Sequence, residues 1–278
     1  MSDPADQSFA ATFTQQLQTR FLGTPLHFFA TIDSTNTYAA GLARAGAPEG
    51  TVVIADSQSG GKGRLGRSWI SPPGVNLYLS AVLRPPVPAA TVPQLNLLAA
   101  VAVADTVVQT CEGLTPAIKW PNDVLVDDKK VCGILAEMQT EAGALRAVVL
   151  GIGVNLNAPL GAFPEELRDK ASSLFLTGGR LVDRPAFAAA LLTHLEKLYV
   201  LWLEQGFRAL QPAWEHHAAW MIGTRITVAA PEGTVSGTVL GLDSDGALLL
   251  QEGNGGTSRR LLAGDVTVVG GYTHGVRS

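Results

Sequence analysis

The residues best suited to chemistry lie in one glycine-rich, cationic segment at positions 58–69. It reads Gln-Ser-Gly-Gly-Lys-Gly-Arg-Leu-Gly-Arg-Ser-Trp, so four glycines and three cations fall within twelve residues. Glycine has no Cβ, which lets backbone amides turn sharply and approach a ligand closely. Such amides, together with Lys62, Arg64 and Arg67, are suited to an anion such as a phosphate or a carboxylate. A solvated loop is the alternative, and the segment has neither a Walker A nor a GxGxxG pattern.

A second candidate is Lys119, within Ile-Lys-Trp-Pro-Asn-Asp at 118–123. Its apolar neighbours place it at the end of a strand, and its compact ammonium would neutralise phosphate as a point charge. The alternative is a solvated lysine at a strand end. Pro121 lacks an amide hydrogen, so we expect it to mark a break between strands.

A third candidate is the polar run Ser34-Thr35-Asn36, which precedes a helical pattern. Ser34, or Asp33 before it, is expected to cap that helix. The same small polar side chains also offer hydrogen bonds to a polar ligand ring, and the two roles are compatible.

Composition narrows the class of protein. Of 278 residues 46% are apolar and 16% are charged, which predicts a substantial core rather than disorder. The net charge of -4 argues against a general nucleic-acid binder. We find no signal-peptide pattern and no uninterrupted apolar run of about 18 residues. The two cysteines, Cys111 and Cys132, form neither a metal pattern nor a disulfide framework. We therefore expect a cytoplasmic protein without a membrane segment.

Strand and helix patterns surround these candidates. Apolar residues at 9, 13, 17 and 21 predict one helix, and 94–109 predicts a buried one. Alternation over 75–84 predicts a half-buried antiparallel strand, and a polar turn at 127–130 predicts a hairpin. Gly151 and Gly153, in a predicted strand at 147–155, indicate a close approach to the backbone. Further predicted elements are a strand at 26–31, helices near 165–170 and at 184–205 and 207–221, and barrel strands at 225–229, 233–240, 246–251 and 260–269.

Five segments, in their order along the chain, resemble those of biotin protein ligases. They are 34–36, 58–69, 119–123, 133–135 and 151–155. The small C-terminal barrel pattern is similar to that family as well, so the resemblance covers roughly residues 25 to 270. Its most specific part is the glycine-rich loop combined with Lys-Trp-Pro-Asn-Asp.

The resemblance implies an α+β fold of the class II synthetase/biotin ligase type. A mixed β-sheet flanked by helices would be followed by a small C-terminal SH3-like β-barrel. The corresponding division is an N-terminal helix and lead-in at 1–24, a catalytic biotin- and ATP-binding domain at 25–222, and the barrel at 223–278. About twenty residues precede the first strand, too few for a winged helix-turn-helix, so we expect the short form without a DNA-binding domain and no specific DNA binding.

The implied activity is that of a biotin–[biotin carboxyl-carrier protein] ligase. Biotin carboxylate attacks the α-phosphate of ATP to give biotinyl-5′-AMP, and a lysine of the carrier then attacks this mixed anhydride. ATP and Mg²⁺ enter as a substrate complex, biotin is the second substrate, and no bound prosthetic group or protein-held metal is expected. The implied partner is the biotin carboxyl carrier domain of a biotin-dependent carboxylase. The enzyme is expected to be a monomer or a homodimer.

On the biotin side, the resemblance assigns roles to five positions. Ser34, Thr35 and Asn36 match the segment that contacts the biotin ring system. Gln58 matches the residue that reaches the ligand where the loop begins. Gly133 matches the floor of the biotin pocket.

On the phosphate side, Lys62, Gly63 and Arg64 match the ligand-contacting triplet of the loop, with Arg64 and Arg67 near phosphate. Lys119 matches the lysine placed between the carboxylate and the α-phosphate, so Lys119 and Arg64 are the predicted catalytic residues. Lys62 departs from the arginine that many relatives have, and lysine lacks the bidentate fork.

Three further positions complete the predicted site. Trp69 matches an aromatic residue that faces adenine, and Asn155 matches a residue on the nucleotide side. We hypothesise that Asp123 orients or deprotonates the incoming lysine.

Two other functions are compatible with parts of this pattern. A lipoate ligase or octanoyl transferase shares the general fold, but the transferase needs a nucleophilic cysteine, and nothing near Cys132 activates a thiolate. A non-enzymatic, biotin-responsive regulator is less favoured, because it would need the DNA-binding domain.

Overall fold

The computed structural model describes residues 4–231, 233–253 and 258–268. The helices are α1 Pro4–Gln16, α2 Thr35–Arg44, α3 Gln94–Thr110, α4 Leu174–Gly178, α5 Arg184–Gln205 and α6 Gln211–His217. The strands are β1 Leu26–Ile32, β2 Val52–Gln58, β3 Leu77–Leu83, β4 Ala117–Lys119, β5 Asp123–Val126, β6 Lys129–Glu141, β7 Ala144–Val154, β8 Arg225–Ala230, β9 Gly233–Leu242, β10 Leu248–Gln251, β11 Ser258–Leu261 and β12 Asp265–Val268.

The first seven strands form one mixed sheet in the order β1-β2-β3-β7-β6-β5-β4. β1 and β2 are parallel and are joined through α2, whereas the other neighbours are antiparallel. β5 and β6 form the predicted hairpin. Asp127 and Asp128, which join them, have φ of 48° and 63°, values that a tight hairpin turn requires. Pro121 lies between β4 and β5, as predicted. The mixed sheet of the expected fold is confirmed.

Helices cover both faces of this sheet. α1, α3 and α5 pack on one face and form the main core, and α2 packs on the other with a smaller cluster around Val53, Val82 and Val149. All seven residues of β3 are therefore buried, and the expectation of a half-buried strand was wrong. Alternate side chains of β3 lie on the α3 side and the α2 side of the sheet, and both sides are covered by helices.

Two helical segments, Ala89–Thr110 and Arg184–Gln205, are long and apolar enough to cross a membrane. In the fold, 72% and 56% of their most apolar windows are buried. α3 and α5, which these segments contain, pack against each other beneath the sheet. They are core helices.

The first helix begins and ends five residues earlier than the one predicted over 9–21. α1 ends at Gln16 because the following amides have another acceptor, the buried carboxylate of Glu196. The backbone N–H groups of Arg20, Phe21 and Leu22 donate to it at 2.6, 3.0 and 2.9 Å. Phe21 still packs against the core, so its apolar spacing was informative although the helix does not extend to it.

The helix predicted at 207–221 is also shorter. α6 begins at Gln211 after a separate 3-10 turn at Phe207–Ala209. Pro212 sits in its first turn, where a missing amide hydrogen has no cost. The helix predicted near 165–170 is a 3-10 turn, Glu165–Leu167.

The remaining strands form a five-stranded antiparallel sheet in the order β11-β10-β9-β8-β12. The predicted SH3-like C-terminal domain is confirmed at the level of this sheet. The single strand predicted at 260–269 is wrong: β11 ends at Leu261, β12 begins at Asp265, and Val269 lies outside the described residues. Gln94 Nε2 donates to Asp245 O at 2.9 Å and thereby joins this sheet to α3.

Candidate active site

The floor of the candidate site is the sheet face on which α2 packs. Cross-strand pairing runs through Tyr78, Gly153, Gly133, Asp123 and Lys119, on β3, β7, β6, β5 and β4 respectively. Directly paired residues of antiparallel strands project from the same face. Since neighbouring strands are about 4.8 Å apart, the backbone of Lys119 lies about 10 Å from that of Gly133. Register alone therefore places the predicted catalytic lysine on the face that carries the glycines.

Because three residues of this floor are glycines, two side chains from elsewhere in the chain can lie directly against its backbone. A Cβ on Gly151 would lie 2.1 Å from Asn36 Oδ1, and a Cβ on Gly153 would lie 2.6 Å from Trp69 Nε1. A Cβ on Gly133 would lie 2.9 Å from Trp69 Cζ3. The predicted close approach to the backbone is confirmed, and the groups that approach are Asn36 and Trp69.

The N-terminus of α2 forms one wall. Ser34 is the N-cap, as predicted, and its Oγ accepts from Thr37 N at 3.4 Å. Gln58 Oε1 accepts from Thr35 N at 2.8 Å, and Gln58 Nε2 donates to Ser71 Oγ at 2.9 Å. These bonds attach the start of the 58–69 loop to the capped end of α2.

Asn36 is held deeper in the same wall and is buried. Its Nδ2 donates to Glu137 Oε2 at 2.7 Å, and its Oδ1 accepts from Ser80 Oγ at 2.6 Å. Both ends of its amide are thus hydrogen-bonded by protein groups, Glu137 and Ser80.

The 58–69 loop is organised by its own backbone. Lys62 and Ser68 form an antiparallel bridge, and Gly63 N donates to Arg67 O at 2.7 Å. At its tip, Leu65 has φ of 55° and an exposed side chain. A leucine in the left-handed region is unusual, so this turn is set by the surrounding bonds rather than by the residue's own preference.

Arg64 points from the loop toward both sheets. Its Nη1 donates to Asn122 Oδ1 at 2.7 Å, and its Nη2 donates to Gly264 O at 3.1 Å. Burial lowers the pKa of Arg64 below its ordinary value, while the charges of Asp123 and Asp265 oppose that shift. A guanidinium remains charged at any physiological pH, so Arg64 is a fixed cation at the junction of the two sheets.

One carboxylate of the C-terminal sheet, Asp265, lies among the cations of the site. It forms an ion pair with Arg67, and the charges of Lys119 and Arg64 also act on it. Burial alone would raise the pKa of Asp265, but the Arg67 hydrogen bond and the three positive charges hold it below its ordinary value. Together with the Lys130–Asp123 pair, four cations and two carboxylates leave this corner positively charged, as an anion site requires.

A cavity lies above the glycine floor, and nine of the predicted residues line it. They are Ser34, Thr35, Asn36, Gln58, Lys62, Gly63, Arg64, Trp69 and Gly133.

Four predicted residues do not line this cavity, among them Asp123, which is paired with Lys130. Arg67 pairs with Asp265 on the outer side of the loop, and Lys119 lies at the end of the paired row described above. Asn155 is buried, its Nδ2 donates to Ser172 O at 3.0 Å, and its Oδ1 accepts from Asn76. The geometry gives Asn155 a structural place and lends its predicted nucleotide role no support.

Sequence reasoning missed several lining residues, which share a location on the strands of the floor or beside them. They are Tyr78, Leu79, Asn122, Lys130, Ile134, Leu135 and Ile152. Gly151 and Gly153 also line the cavity, and the sequence had predicted a close approach to them. Lys130 carries charge into the site: its Nζ lies 2.6 Å from Asp123 Oδ1 and 5.4 Å from the centroid of the Trp69 ring. The position of Lys130 in a hairpin turn looked ordinary in the sequence, and only the strand register brings it to Trp69.

Cys132 faces away from the cavity. It is fully buried in the main core, and burial raises the pKa of its thiol. A neutral thiol on the opposite face is no nucleophile for this site. Within the described residues, no group of three His, Cys, Asp or Glu side chains is placed to hold a metal ion.

Comparison with known families gives two matches along the chain. Residues 28–155 match the biotin/lipoate A/B protein ligase family, and residues 221–269 match the biotin protein ligase C-terminal domain.

Individual relatives agree with these matches. The chain is 41% identical to the bifunctional ligase/repressor BirA of Bacillus subtilis over 86% of this chain and 73% of that protein. It is 36% identical to a biotin–[acetyl-CoA-carboxylase] ligase of Paracoccus denitrificans over 79% of this chain and 91% of that one. Among solved structures, the biotin protein ligase from Aquifex aeolicus in complex with biotin and ATP superimposes with a TM-score of 0.75 at 28% identity, covering 88% of this chain and 98% of that one.

Proposed function

The chain belongs to the biotin protein ligases, and we propose from this that it attaches biotin to a lysine of a biotin carboxyl carrier protein through biotinyl-5′-AMP. The observation that carries the proposal is the assembly of one sheet face. A polar wall at the capped end of α2, a glycine floor and the cations Lys62 and Arg64 line one cavity. Lys119 ends the row of paired strand residues that forms the same floor.

In the first half-reaction, a biotin carboxylate oxygen attacks the α-phosphorus of ATP, and the bond to the leaving pyrophosphate breaks. Two anions must approach each other, so fixed cations lower both their repulsion and the energy of the charge that develops at phosphorus. We assign this work to Lys119 and Arg64. Arg64 is held in place by Asn122 and Gly264, so little reorganisation is needed as the charge develops. Mg²⁺ enters with ATP as part of the substrate and neutralises the leaving pyrophosphate.

In the second half-reaction, the neutral amine of the carrier lysine attacks the carbonyl carbon, the bond to AMP breaks, and the amine loses a proton. Asp123 remains our hypothesis for the group that orients this lysine or accepts its proton. Its carboxylate is already paired with Lys130, so the incoming amine has to share or displace that ion pair.

The mixed anhydride is sensitive to water, which gives the 58–69 loop a second task. We propose that Trp69 packs against the adenine and that the loop covers the intermediate until the carrier arrives. The catalytic work is assigned to residues 25–222, and the small sheet within 223–278 supports the loop through Gly264 and Asp265. A cytoplasmic location follows for an enzyme that consumes ATP and modifies a metabolic carboxylase.

Biotin-dependent ATP–pyrophosphate exchange tests the proposed function directly, with lipoate as the competing substrate. We expect exchange with biotin and none with lipoate. Exchange with lipoate alone would overturn the proposal in favour of a lipoate ligase.

Lys62 provides a mild test of how the loop holds its ligand. Lys62→Arg should stay active, with kcat/KM for biotin within about fivefold of the wild type, because the charge is kept and the planar guanidinium offers two parallel donors to one anion. Loss of exchange activity in this variant would contradict the assigned place of Lys62 in the anion-binding loop.

Asp265→Asn tests the contact between the loop and the small sheet. The Arg67–Asp265 pair is partly exposed and screened by solvent, so its loss should weaken loop closure by less than about 1 kcal/mol. We expect AMP release without carrier to rise by about two- to fivefold, measured as hydrolysis of the intermediate. Because the pKa of Asp265 is lowered, its carboxylate stays ionised and paired at any pH above the ordinary carboxyl range. The contact is lost only when the pH falls through the lowered pKa. Hydrolysis of the intermediate by the wild type should therefore not change between about pH 6 and 8.

Glu252→Gln is the matched control for this variant. Glu252 also pairs with an arginine, Arg259, but within the small sheet and away from the loop. Equal leakage in the two variants would show that general loosening of the small sheet, rather than the loop contact, is responsible.

A further inference from the structure

The strand that ends at Lys119 lies at the outer edge of the large sheet. β4 is the last strand in the sheet order, next to β5, so main-chain groups that point away from β5 have no neighbouring strand to bond. Two such groups flank the lysine, the C=O of Ile118 and the N–H of Trp120. Ile118 is fully buried and Trp120 is 2% exposed, so both groups need partners within the protein.

Two successive residues of the segment after α6 are these partners. Trp220 Nε1 donates to Ile118 O at 3.0 Å, and Trp120 N donates to Met221 Sδ at 3.3 Å. Met221 is fully buried and Trp220 is half-buried. Side chains of one short segment therefore take the place of a further strand, and they bond β4 on both sides of Lys119.

The same segment is bonded to the C-terminal sheet. Thr224 donates to it twice, from its N to Met221 O at 2.9 Å and from its Oγ1 to Trp220 O at 2.7 Å. Thr224 O accepts from Val239 N of β9 at 3.0 Å, and Gly223 N donates to Val239 O at 2.8 Å. A displacement of the small sheet would therefore reach the main chain around Lys119.

The position of this main chain matters because a lysine ammonium stands on a flexible four-carbon stem. Arg64 is placed by hydrogen bonds of its own guanidinium, whereas the reach of Lys119 depends on the strand from which it extends. Misplacement of a reacting or catalytic group by about 1 Å can cost about 10²-fold in rate. Bonds that fix the β4 edge can therefore act on catalysis without touching the substrate.

We propose that Trp220 and Met221 are positioning residues for the first half-reaction, which hold the main chain on both sides of Lys119 and thereby place its ammonium. The inference rests on the proposed function, because it takes Lys119 as the cation that acts at the α-phosphate. It also gives the small sheet a task besides its support of the 58–69 loop, since the segment that holds β4 is bonded to β9.

Two conservative variants test the inference. Trp220→Phe keeps an aromatic ring but removes the donor to Ile118, and Met221→Leu keeps a similar volume but removes the acceptor of the Trp120 amide. We expect kcat for biotin-dependent pyrophosphate exchange to fall about five- to tenfold in each, as for one lost hydrogen bond to a buried backbone group. KM for biotin should stay within about twofold of the wild type, because the wall at α2 is untouched. Unchanged kcat in both variants would overturn the proposal.

A double-variant cycle with Lys119→Ala separates positioning from general damage. If Trp220 acts through the lysine, its replacement has nothing left to misplace once the lysine is absent. Trp220→Phe should therefore change the residual exchange rate of Lys119→Ala by less than about twofold. A fall by the same factor with and without Lys119 would show a purely structural role and contradict the proposal. If Trp220→Phe folds poorly, Met221→Leu replaces it in this cycle.

Tyr199→Phe is the matched control, because it also removes one hydrogen bond of an aromatic side chain. Tyr199 Oη donates to Glu49 Oε1 at 2.6 Å, before the start of β2, whereas Gln58 of the site ends that strand. Urea denaturation should show a loss of stability similar to that of Trp220→Phe, but kcat and KM should remain those of the wild type. An equal fall of kcat in the control would show that general loosening is responsible and would overturn the proposal. Failure of the proposed function is distinguishable, because the wild type itself would then show no biotin-dependent exchange.

Discussion

Replacing Lys119 by alanine should lower the rate of biotin-dependent pyrophosphate exchange by about 10²–10³-fold, the usual effect of removing one preorganised group from a developing negative charge. The fold should survive, because Lys119 is only half-buried and ends the short edge strand β4. The loss should appear mainly in kcat, with a smaller rise in KM for biotin, because the repulsion between the carboxylate and the α-phosphate is greatest in the transition state.

The physical basis for this expectation is the position of Lys119 relative to the other charges. It pairs in register with Asp123, which pairs with Gly133 of the cavity floor. From the other side its charge acts on Asp265, together with those of Arg64 and Arg67. Lys119 therefore lies at the end of the glycine floor, on the side where Arg64, Arg67 and Asp265 meet.

Two further variants make the Lys119 result specific. Lys119→Arg keeps the charge and should recover part of the lost rate, which a merely structural lysine would not require. Lys129→Ala removes a lysine whose Nζ donates to Arg168 O outside the site, and it should leave exchange unchanged. Full activity of Lys119→Ala would contradict the assignment of Lys119 as the central cation.

The sequence was most informative where the signal is local. The N-cap at Ser34, the hairpin after Asp123 and the glycines of β7 follow from residue types at short spacing, and the structure confirms them. These signals, with the glycine-rich loop, cover eight of the nine predicted lining residues, and Gly133 was expected only from the family resemblance. The mixed sheet and the C-terminal domain were expected from the family resemblance.

Residues that act through distant contacts were not predictable in this way. Glu137 and Ser80 reach Asn36 because three strands are in register, and Asp265 reaches the loop across 198 positions. The early end of α1 has the same cause, since the amides after it donate to Glu196 about 175 residues away. In each case the hydrogen-bond partner is far away in the sequence, so no single window of sequence contains both partners.

Gly151→Ala should weaken biotin binding strongly, because the floor at this position has no room for a methyl group. The added Cβ would lie 2.1 Å from Asn36 Oδ1, well inside contact distance. Asn36 cannot simply move aside, since Glu137 and Ser80 hold both ends of its amide. We expect KM for biotin to rise tenfold or more, from loss of at least one buried hydrogen bond. Overpacking should also lower the free energy of unfolding by about 1–3 kcal/mol, measured by urea denaturation.

Gly41→Ala provides the control with the opposite sign. Gly41 is inside α2, in the same packed unit, but a Cβ there meets nothing within 4 Å. Alanine in a helix interior should raise the free energy of unfolding by about 0.5–1 kcal/mol, with KM for biotin unchanged. An equal KM increase in both variants would mean that any change at α2 disturbs the wall, and the specific clash at Gly151 would be refuted.

The double variant Gly151→Ala/Asn36→Ala separates packing from recognition. Removing the Asn36 side chain relieves the clash, so part of the lost stability should return relative to Gly151→Ala alone. Biotin binding should stay weak, because the connection from Glu137 through Asn36 to Ser80 is then broken. Stability and biotin binding should respond differently because Gly151 makes room for the Asn36 side chain, and the hydrogen bonds of that side chain, not its volume, organise the wall. Recovery of stability and of biotin affinity together would show instead that Asn36 only fills space above Gly151.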